Sequence, residues 1–394
     1  MFCIGIDVAK RRHRLAAITE RGEKVIENYS FENTTGGFKQ MVKKLHSSGV
    51  TRDNSRVALE ATGHYSRALS AHLVAEGFEI AEGNPLQTHN FAKAQSIRKV
   101  KNDAVDALAL AQWLLSRNPT ATKLSSSESA CLKSIARFRT FQSQIISDSK
   151  RKVIAILDQV FPEYASFFSD IFGAASLAVL SRYPSAQALS RAHLDSLTSL
   201  LERSSRGRLG GELALRLREA ARSSFATDAA LESQVLEVEQ LIAQIKFTKK
   251  QLATLDKKME NLLAKAGTPI QTIPGIGTVC AATILGEIGD ISYFAKPSSL
   301  VAFAGLDPSV YESGEFIGTK NHLSKRGSSY LRWALWIAAD RAKTFDPAFG
   351  AYYFKKRSEG KCHKVALSAV SRKLCNTIFA VLTRNTPYVC HLPG

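Results

Sequence analysis

A chain of 394 residues is long enough for two or three domains, each burying its own core. Its 53 lysines and arginines against 35 aspartates and glutamates leave a formal charge of +18, a surplus that points to a polyanionic partner because each neutralised phosphate releases counterions. With no apolar run of about 20 residues and no basic-then-apolar leader, the sequence reads as neither membrane-spanning nor secreted, and its six scattered cysteines, without a C-x-x-C, read as reduced thiols of a cytosolic protein.

Three short strands are expected at residues 2–8, 14–19 and 24–31, separated by the turn-like Lys10-Arg11-Arg12 and Glu20-Arg21-Gly22-Glu23. Gly36-Gly37 opens a helix with Phe38, Met41, Val42 and Leu45 at helical spacing. A strand at 56–60, a helix at 65–76, a strand at 78–81 and a helix at 101–116 follow. The order β-β-β-α-β-α-β-α is that of the ribonuclease H-like α/β fold, in which the first strand, the fourth strand and the last helix converge. Those three elements carry Asp7, Glu60, and the pair Asp103 and Asp106. Hard cations such as Mg²⁺ take oxygen ligands. Two of them about 4 Å apart stabilise both the attacking and the leaving oxygen of a phosphodiester displacement.

The Ser-rich stretch Leu124-Ser125-Ser126-Ser127-Glu128-Ser129 breaks this pattern and caps a long helix reaching residue 161. That helix carries Arg137, Arg139, Lys150, Arg151 and Lys152, either a solvated face or a phosphate-contacting one. Residues 161–224 read as helical and carry no motif. Ser205-Arg206-Gly207-Arg208-Leu209-Gly210-Gly211 lacks the Lys-Ser/Thr of a nucleotide loop and reads as a basic turn. Over 231–262, Leu231, Val235, Val238, Ile242 and Ile245 alternate by four and three. Lys249 then interrupts, and Leu252, Leu255, Met259 and Leu262 resume with shifted phase. This is coiled-coil spacing with a local slip, its partner either within the chain or on a second copy.

Near the C-terminus, Ile273-Pro274-Gly275-Ile276-Gly277 precedes an apolar helix at 280–288. Such a turn is either a tight helix connection or the hairpin of a helix-hairpin-helix DNA binder. In the second case Gly275 and Gly277 let the backbone approach a phosphate. Further on, Ser313 stands before Gly314 in a loop. The basic Lys325-Arg326-Gly327 and a helix bearing Arg332 follow. A hydroxyl beside a phosphate is one reading; Ser-Gly pairs are more often plain turns. The tail mixes Lys355, Lys356, Arg357, Lys361, Lys364, Arg372 and Lys373 with Tyr352, Tyr353 and Phe354, a combination that suits nucleic acid.

Taken in order, G-I-D-V-A-K at 5–10, V-A-L-E-A-T-G at 57–63, K-N-D-A-V-D-A-L-A-L-A at 101–111, I-P-G-I-G at 273–277, A-G-L-D-P-S-V-Y-E-S-G at 304–314 and S-K-R-G-S-S-Y-L-R at 324–332 resemble the DEDD insertion-sequence transposases. These are the bridge-RNA-guided recombinases related to the Piv DNA invertases. The resemblance implies a RuvC-like domain over 1–125, a helical coiled-coil region over 126–265 and a mainly helical C-terminal transposase domain over 266–394. It implies that Asp7, Glu60, Asp103 and Asp106 hold Mg²⁺, with Mn²⁺ as a substitute, and that Ser313 is the strand-exchange nucleophile. Gly275, Gly277, Lys325, Arg326 and Arg332 are candidate nucleic-acid contacts. The implied partners are DNA, a structured guide RNA encoded by the element, and further copies of the chain. Asn102 stands where the family commonly has threonine, which leaves the ligands unchanged. A Holliday-junction resolvase would share the carboxylates but use water. A sugar kinase would need a Gly-Thr phosphate turn that this chain lacks. A non-catalytic binder would leave the four carboxylates unexplained.

Overall fold

The computed structural model describes residues 1–60, 63, 65–95, 103–122, 125–227, 229–309, 312, 313, 316, 317 and 322–390, with the backbone alone at 95, 103, 104, 312, 313, 316 and 317. The chain forms two compact units, Met1–Leu124 and Ser125–Gly394.

The first unit runs β1 (Phe2–Asp7), β2 (Arg12–Thr19), β3 (Lys24–Glu32), α1 (Thr35–Ser47), β4 (Ser55–Glu60), α2 (Ser66–Ala75), β5 (Glu79–Gly83), α3 (Pro85–Gln95) and α4 (Asp103–Arg117). Its five-stranded sheet has the order β3-β2-β1-β4-β5. β1 is antiparallel to β2 and parallel to β4, so the two strands ending in Asp7 and Glu60 lie side by side and point the same way. Side chains alternate across the sheet. Ile4, Ile6 and Val8 join Met41, Leu45, Leu69 and Leu73 in one core, while Cys3 packs on the other face with Leu110, Ala111 and Leu114 of α4. Gly5 shares that second face. A Cβ there would sit 2.0 Å from the Ala107 carbonyl oxygen and 2.5 Å from the Ala111 nitrogen. Only glycine therefore lets the α4 backbone rest directly on β1.

The expected elements are present to within a few residues, with one addition. α3 was not expected, because Pro-Leu-Gln-Thr-His-Asn-Phe-Ala-Lys-Ala-Gln has no continuous apolar stripe. It is started instead by its flanks. The Asn84 side chain accepts from the Leu86 N–H at 2.9 Å, and Pro85 occupies the first helical position, where its missing N–H has no cost.

The second unit is helical: α5 (Ser127–Val160), α6 (Ala174–Arg182), α7 (Ala186–Ser190), α8 (Leu194–Ser205), α9 (Gly211–Arg222), α10 (Leu231–Ala266), α11 (Thr278–Ile288), α12 (Pro297–Phe303), the short hairpin strands β6 (Glu312–Ser313) and β7 (Phe316–Ile317), then α13 (Ser329–Phe345), α14 (Pro347–Ser358) and α15 (His363–Arg384). α5 and α10 lie against each other and serve two cores. Ile146, Val153 and Val160 meet Val238, Ile242 and Ile245 in a core completed by α6, α8 and α9. Leu132 and Ala136 meet Met259 and Leu263 in another, completed by α11 to α15. Polar pairs fix the antiparallel direction: Arg139 with Asp256 at 2.5 Å, Ser149 with Gln244 at 3.4 Å, Lys152 with Glu237 at 3.3 Å, and Gln159 with Gln234 at 2.8 Å.

The heptad stripe of α10 is thus taken up by α5 of the same chain. Its phase does not slip at Lys249. Val238, Ile245, Leu252 and Met259 continue at intervals of seven, and Thr248 is the residue buried beside them. The Lys249 ammonium lies next to the seam and donates to the Phe172 carbonyl at 3.3 Å. Arg139 of α5, weighed above as a phosphate contact, is likewise occupied, by Asp256. Because Val238 and Ile245 are each 0% exposed, Val238→Glu with Ile245→Glu is expected to abolish the cooperative unfolding of the second unit, since a buried unpaired charge is costly. Circular dichroism melting checks this; a folded double mutant with an altered mass in light scattering would instead mean an intermolecular seam.

α15 is the one described helix long and apolar enough to cross a membrane. It is a core helix, with Leu367, Val370, Leu374, Cys375, Ile378 and Val381 buried where it packs against α12, α13 and α14.

Candidate active site and nucleic-acid surfaces

The strand register places the carboxylates of the first unit. Ile6 pairs with Leu59, so Asp7 and Glu60 are the next residues on adjacent parallel strands, whose backbones lie roughly 4.8 Å apart. By alternation both share the face that Gly5 and Ala58 present to α4. Asp106 immediately precedes Ala107, the residue in contact with Gly5. Glu60 and Asp106 line one cavity of about 430 Å³ together with Thr88, His89 and Leu110. Asp103 opens α4 one turn earlier; its side chain lies outside the described residues.

These acids supply the hard oxygen donors that a divalent cation takes. Among the described residues, no three His, Cys, Asp or Glu side chains converge as a metal cluster. The observed convergence is the pair Glu60 and Asp106 in their shared cavity, with Asp7 on the neighbouring strand.

In the second unit, Ser313 ends β6, and its backbone pairs with Phe316 of β7 across a two-residue connection. Its side chain lies outside the described residues. The base of this hairpin is well tied. Ser309 N–H donates to the His322 carbonyl at 2.7 Å, and the Ser309 hydroxyl accepts from the His322 N–H at 3.2 Å. The Ser324 hydroxyl donates to Asp307 at 2.5 Å. Gly327 sits where a Cβ would lie 2.0 Å from the Phe303 carbonyl oxygen. Two neighbouring serines that could be confused with Ser313 therefore already hold the loop base together.

The candidate nucleic-acid contacts divide. Lys325 and Arg326 are exposed, and Lys325 has a left-handed backbone, φ 52°. Arg332 is turned inward to the Ala304 carbonyl at 3.0 Å, bracing the Ala304-Gly305 turn. Gly275, at φ +93°, is pressed against α13, where a Cβ would lie 2.5 Å from the Ala342 nitrogen. It serves packing, whereas Gly277, before α11, faces open space.

One buried cluster here had no local signal in the sequence. Glu287 of α11 has a side chain only 2% exposed. Arg137 of α5 donates to both its oxygens, at 2.6 and 2.9 Å, and stacks its guanidinium over the Tyr330 ring at 4.8 Å. The Ser328 hydroxyl donates to Glu287 at 2.9 Å and accepts from the Leu331 N–H at 3.1 Å, capping α13. Burial alone would raise the Glu287 pKa; the hydrogen bonds from Arg137 and Ser328 and the charge of Lys133 override it and hold the carboxyl below its ordinary value.

A mixed sheet of this order, with acids at the carboxyl ends of its two central strands, is the layout of ribonuclease H-like phosphodiester-processing domains. A transposase model named for the DEDD signature and the IS110 element matches residues 4–162. A second model, described as "Transposase IS116/IS110/IS902 family", matches residues 267–354. The chain is 25% identical to the IS116 uncharacterized 44.8 kDa protein of Streptomyces clavuligerus, over 96% of this chain and 94% of that one. It is 24% identical to the pilin gene-inverting protein of Moraxella lacunata, over 98% and 97%. It is also 24% identical to the mini-circle putative transposase for IS117 of Streptomyces coelicolor, over 97% and 92%. The chain belongs to the DEDD transposases of the IS110 insertion-sequence family, whose DEDD domain implies a RuvC-like fold, and the mixed five-stranded sheet of the first unit lies within the matched residues.

Proposed function

We propose that this transposase excises and inserts its own insertion-sequence element by phosphodiester transfer, using the carboxylates of Asp7, Glu60, Asp103 and Asp106 and the hydroxyl of Ser313. The observation that carries the reading is the shared cavity of Glu60 and Asp106 at the strand ends. Those four acids would hold Mg²⁺, or Mn²⁺ in its place, and the bound cation would offset charge developing on the phosphate. Ser313 Oγ forms a bond to phosphorus as the bond to the leaving deoxyribose oxygen breaks, and that oxygen takes up a proton as Oγ loses its own. A free DNA hydroxyl later reverses the exchange and releases the serine. The carboxylates belong to the first unit and Ser313 to the second, so the reading asks both to act on one phosphodiester, from one copy of the chain or from two. Gly277, Lys325 and Arg326 contact nucleic acid. The +18 charge suits a structured guide RNA that pairs with donor and target DNA, in a cytoplasmic homo-oligomer.

The DNA flanking the gene supplies the substrate for a test. Asp106→Asn and Ser313→Ala are each expected to retain DNA binding and give no recombinant product. A nicked substrate should trap a covalent adduct on the unsubstituted protein, which mass spectrometry should map to Ser313. An adduct on another residue, or recombination by Ser313→Ala, would favour a water-using nuclease.

A further inference from the structure

Three observations bring α3 over the end of β4. Glu60 pairs with Gly83 in the sheet. A Cβ on Gly83 would lie 2.4 Å from the Thr88 methyl, so this glycine allows the first turns of α3 to fold back over the strand end. The next residue, His89, lines the cavity that Glu60 and Asp106 line. His89 is exposed, and neither its side chain nor that of Asp106 makes a hydrogen bond or ion pair to another described residue. Thr88 also lines the cavity, but its hydroxyl donates to the Asn84 and Pro85 carbonyls at 3.3 and 3.2 Å. Among the described lining residues, His89 is therefore the side chain left to donate a hydrogen bond to an anion. A neutral imidazole carries one N–H in either tautomer.

We propose that His89 is a further substrate-contacting residue, donating its N–H to a non-bridging oxygen of the phosphodiester that reacts at this site. This rests on the phosphodiester-transfer reading above. The carboxylates there repel a phosphate unless their charge is offset, and a fixed donor opposite them orients it. The donor acts as negative charge builds on the oxygens in the transition state, so it serves rate more than binding.

The test uses the full chain in single-turnover strand transfer. His89→Ala should lower the rate constant about 100-fold, the effect of deleting one transition-state donor. Oligonucleotide affinity and melting temperature should stay as in the parent, as for other exposed positions. His89→Asn, which keeps an N–H donor, should recover part of the rate, and His89→Leu none. A substrate with a methylphosphonate at the reacting position removes one non-bridging oxygen; with one of its two stereoisomers, parent and His89→Ala should react equally. Parent-like rates for His89→Ala, or an equal loss on both stereoisomers, would overturn the proposal. Asp106→Asn, run in parallel, separates the two ideas. If it is inert while His89→Ala is normal, only the histidine assignment fails; if it too is fully active, the carboxylate reading fails first.

Discussion

Gly5→Ala is expected to damage this protein more than any other single methyl group added to the first unit. The new Cβ would meet backbone, the Ala107 carbonyl and the Ala111 nitrogen, and neither can rotate away. Overpacking of a core typically costs about 1–3 kcal/mol, and a rigid backbone neighbour puts this case at the upper end, about 3 kcal/mol. To relieve the overlap, α4 must lift from β1 and carry Asp106 with it. Strand transfer should therefore fall further than the folded fraction does. Gly36→Ala is the control. It lies in α1 with its nearest obstacle, the Thr34 hydroxyl, at 3.9 Å, and alanine improves helix propensity by up to about 1 kcal/mol. Urea unfolding and strand transfer on the same samples decide the matter; a Gly5→Ala protein with parent stability and rate would mean that α4 does not rest on β1.

Loss of Glu287 should be the largest effect in the second unit. Glu287→Ala leaves Arg137 without its bidentate partner and frees the Ser328 hydroxyl that caps α13. Removing one member of a buried pair costs about 3 kcal/mol, which for a unit of this size lowers the melting midpoint by roughly 6–12 °C. The pH dependence has a definite sign. The folded-state pKa of Glu287 lies below its ordinary 4.5. Its contribution is therefore fully present above that value and is lost as the pH falls through the lower folded-state value. Glu287→Gln should be less stable than the parent at pH 7 and show a shallower loss of stability on acidification below about pH 4.5. Equal slopes for the two proteins would show that other groups govern acid unfolding.

Much of the first unit was legible because period and chemistry agree. Phe2–Asp7 alternates between two faces and ends in an acid, and Phe38, Met41 and Leu45 return at helical spacing. α3, which brings His89 to the cavity, has no stripe to find, and Asn84-Pro85 was its only local signal. The stripe of α10 could be read but not its partner, since a heptad does not say which helix covers it. Arg137 and Glu287 are 150 residues apart, and nothing near either names the other. Arg332 and Gly275 have structural tasks that the sequence did not announce. A cation and a flexible turn suggested phosphate contact, while the fold uses one to brace a turn and the other to seat a helix.

The shared role of α5 and α10 limits how this chain can be taken apart. A fragment starting after residue 265 would keep α11 to α15 yet lose Leu132, Ala136, Met259 and Leu263, side chains that its core needs as walls. A deletion of 161–230 would strip the other half of both long helices at Ile146, Val153, Val238 and Ile245. Insertions and fusions will be tolerated at loops that leave the pair intact. Cuts through either helix should yield insoluble pieces, so exchange of C-terminal parts between relatives has to carry the long helices along with them.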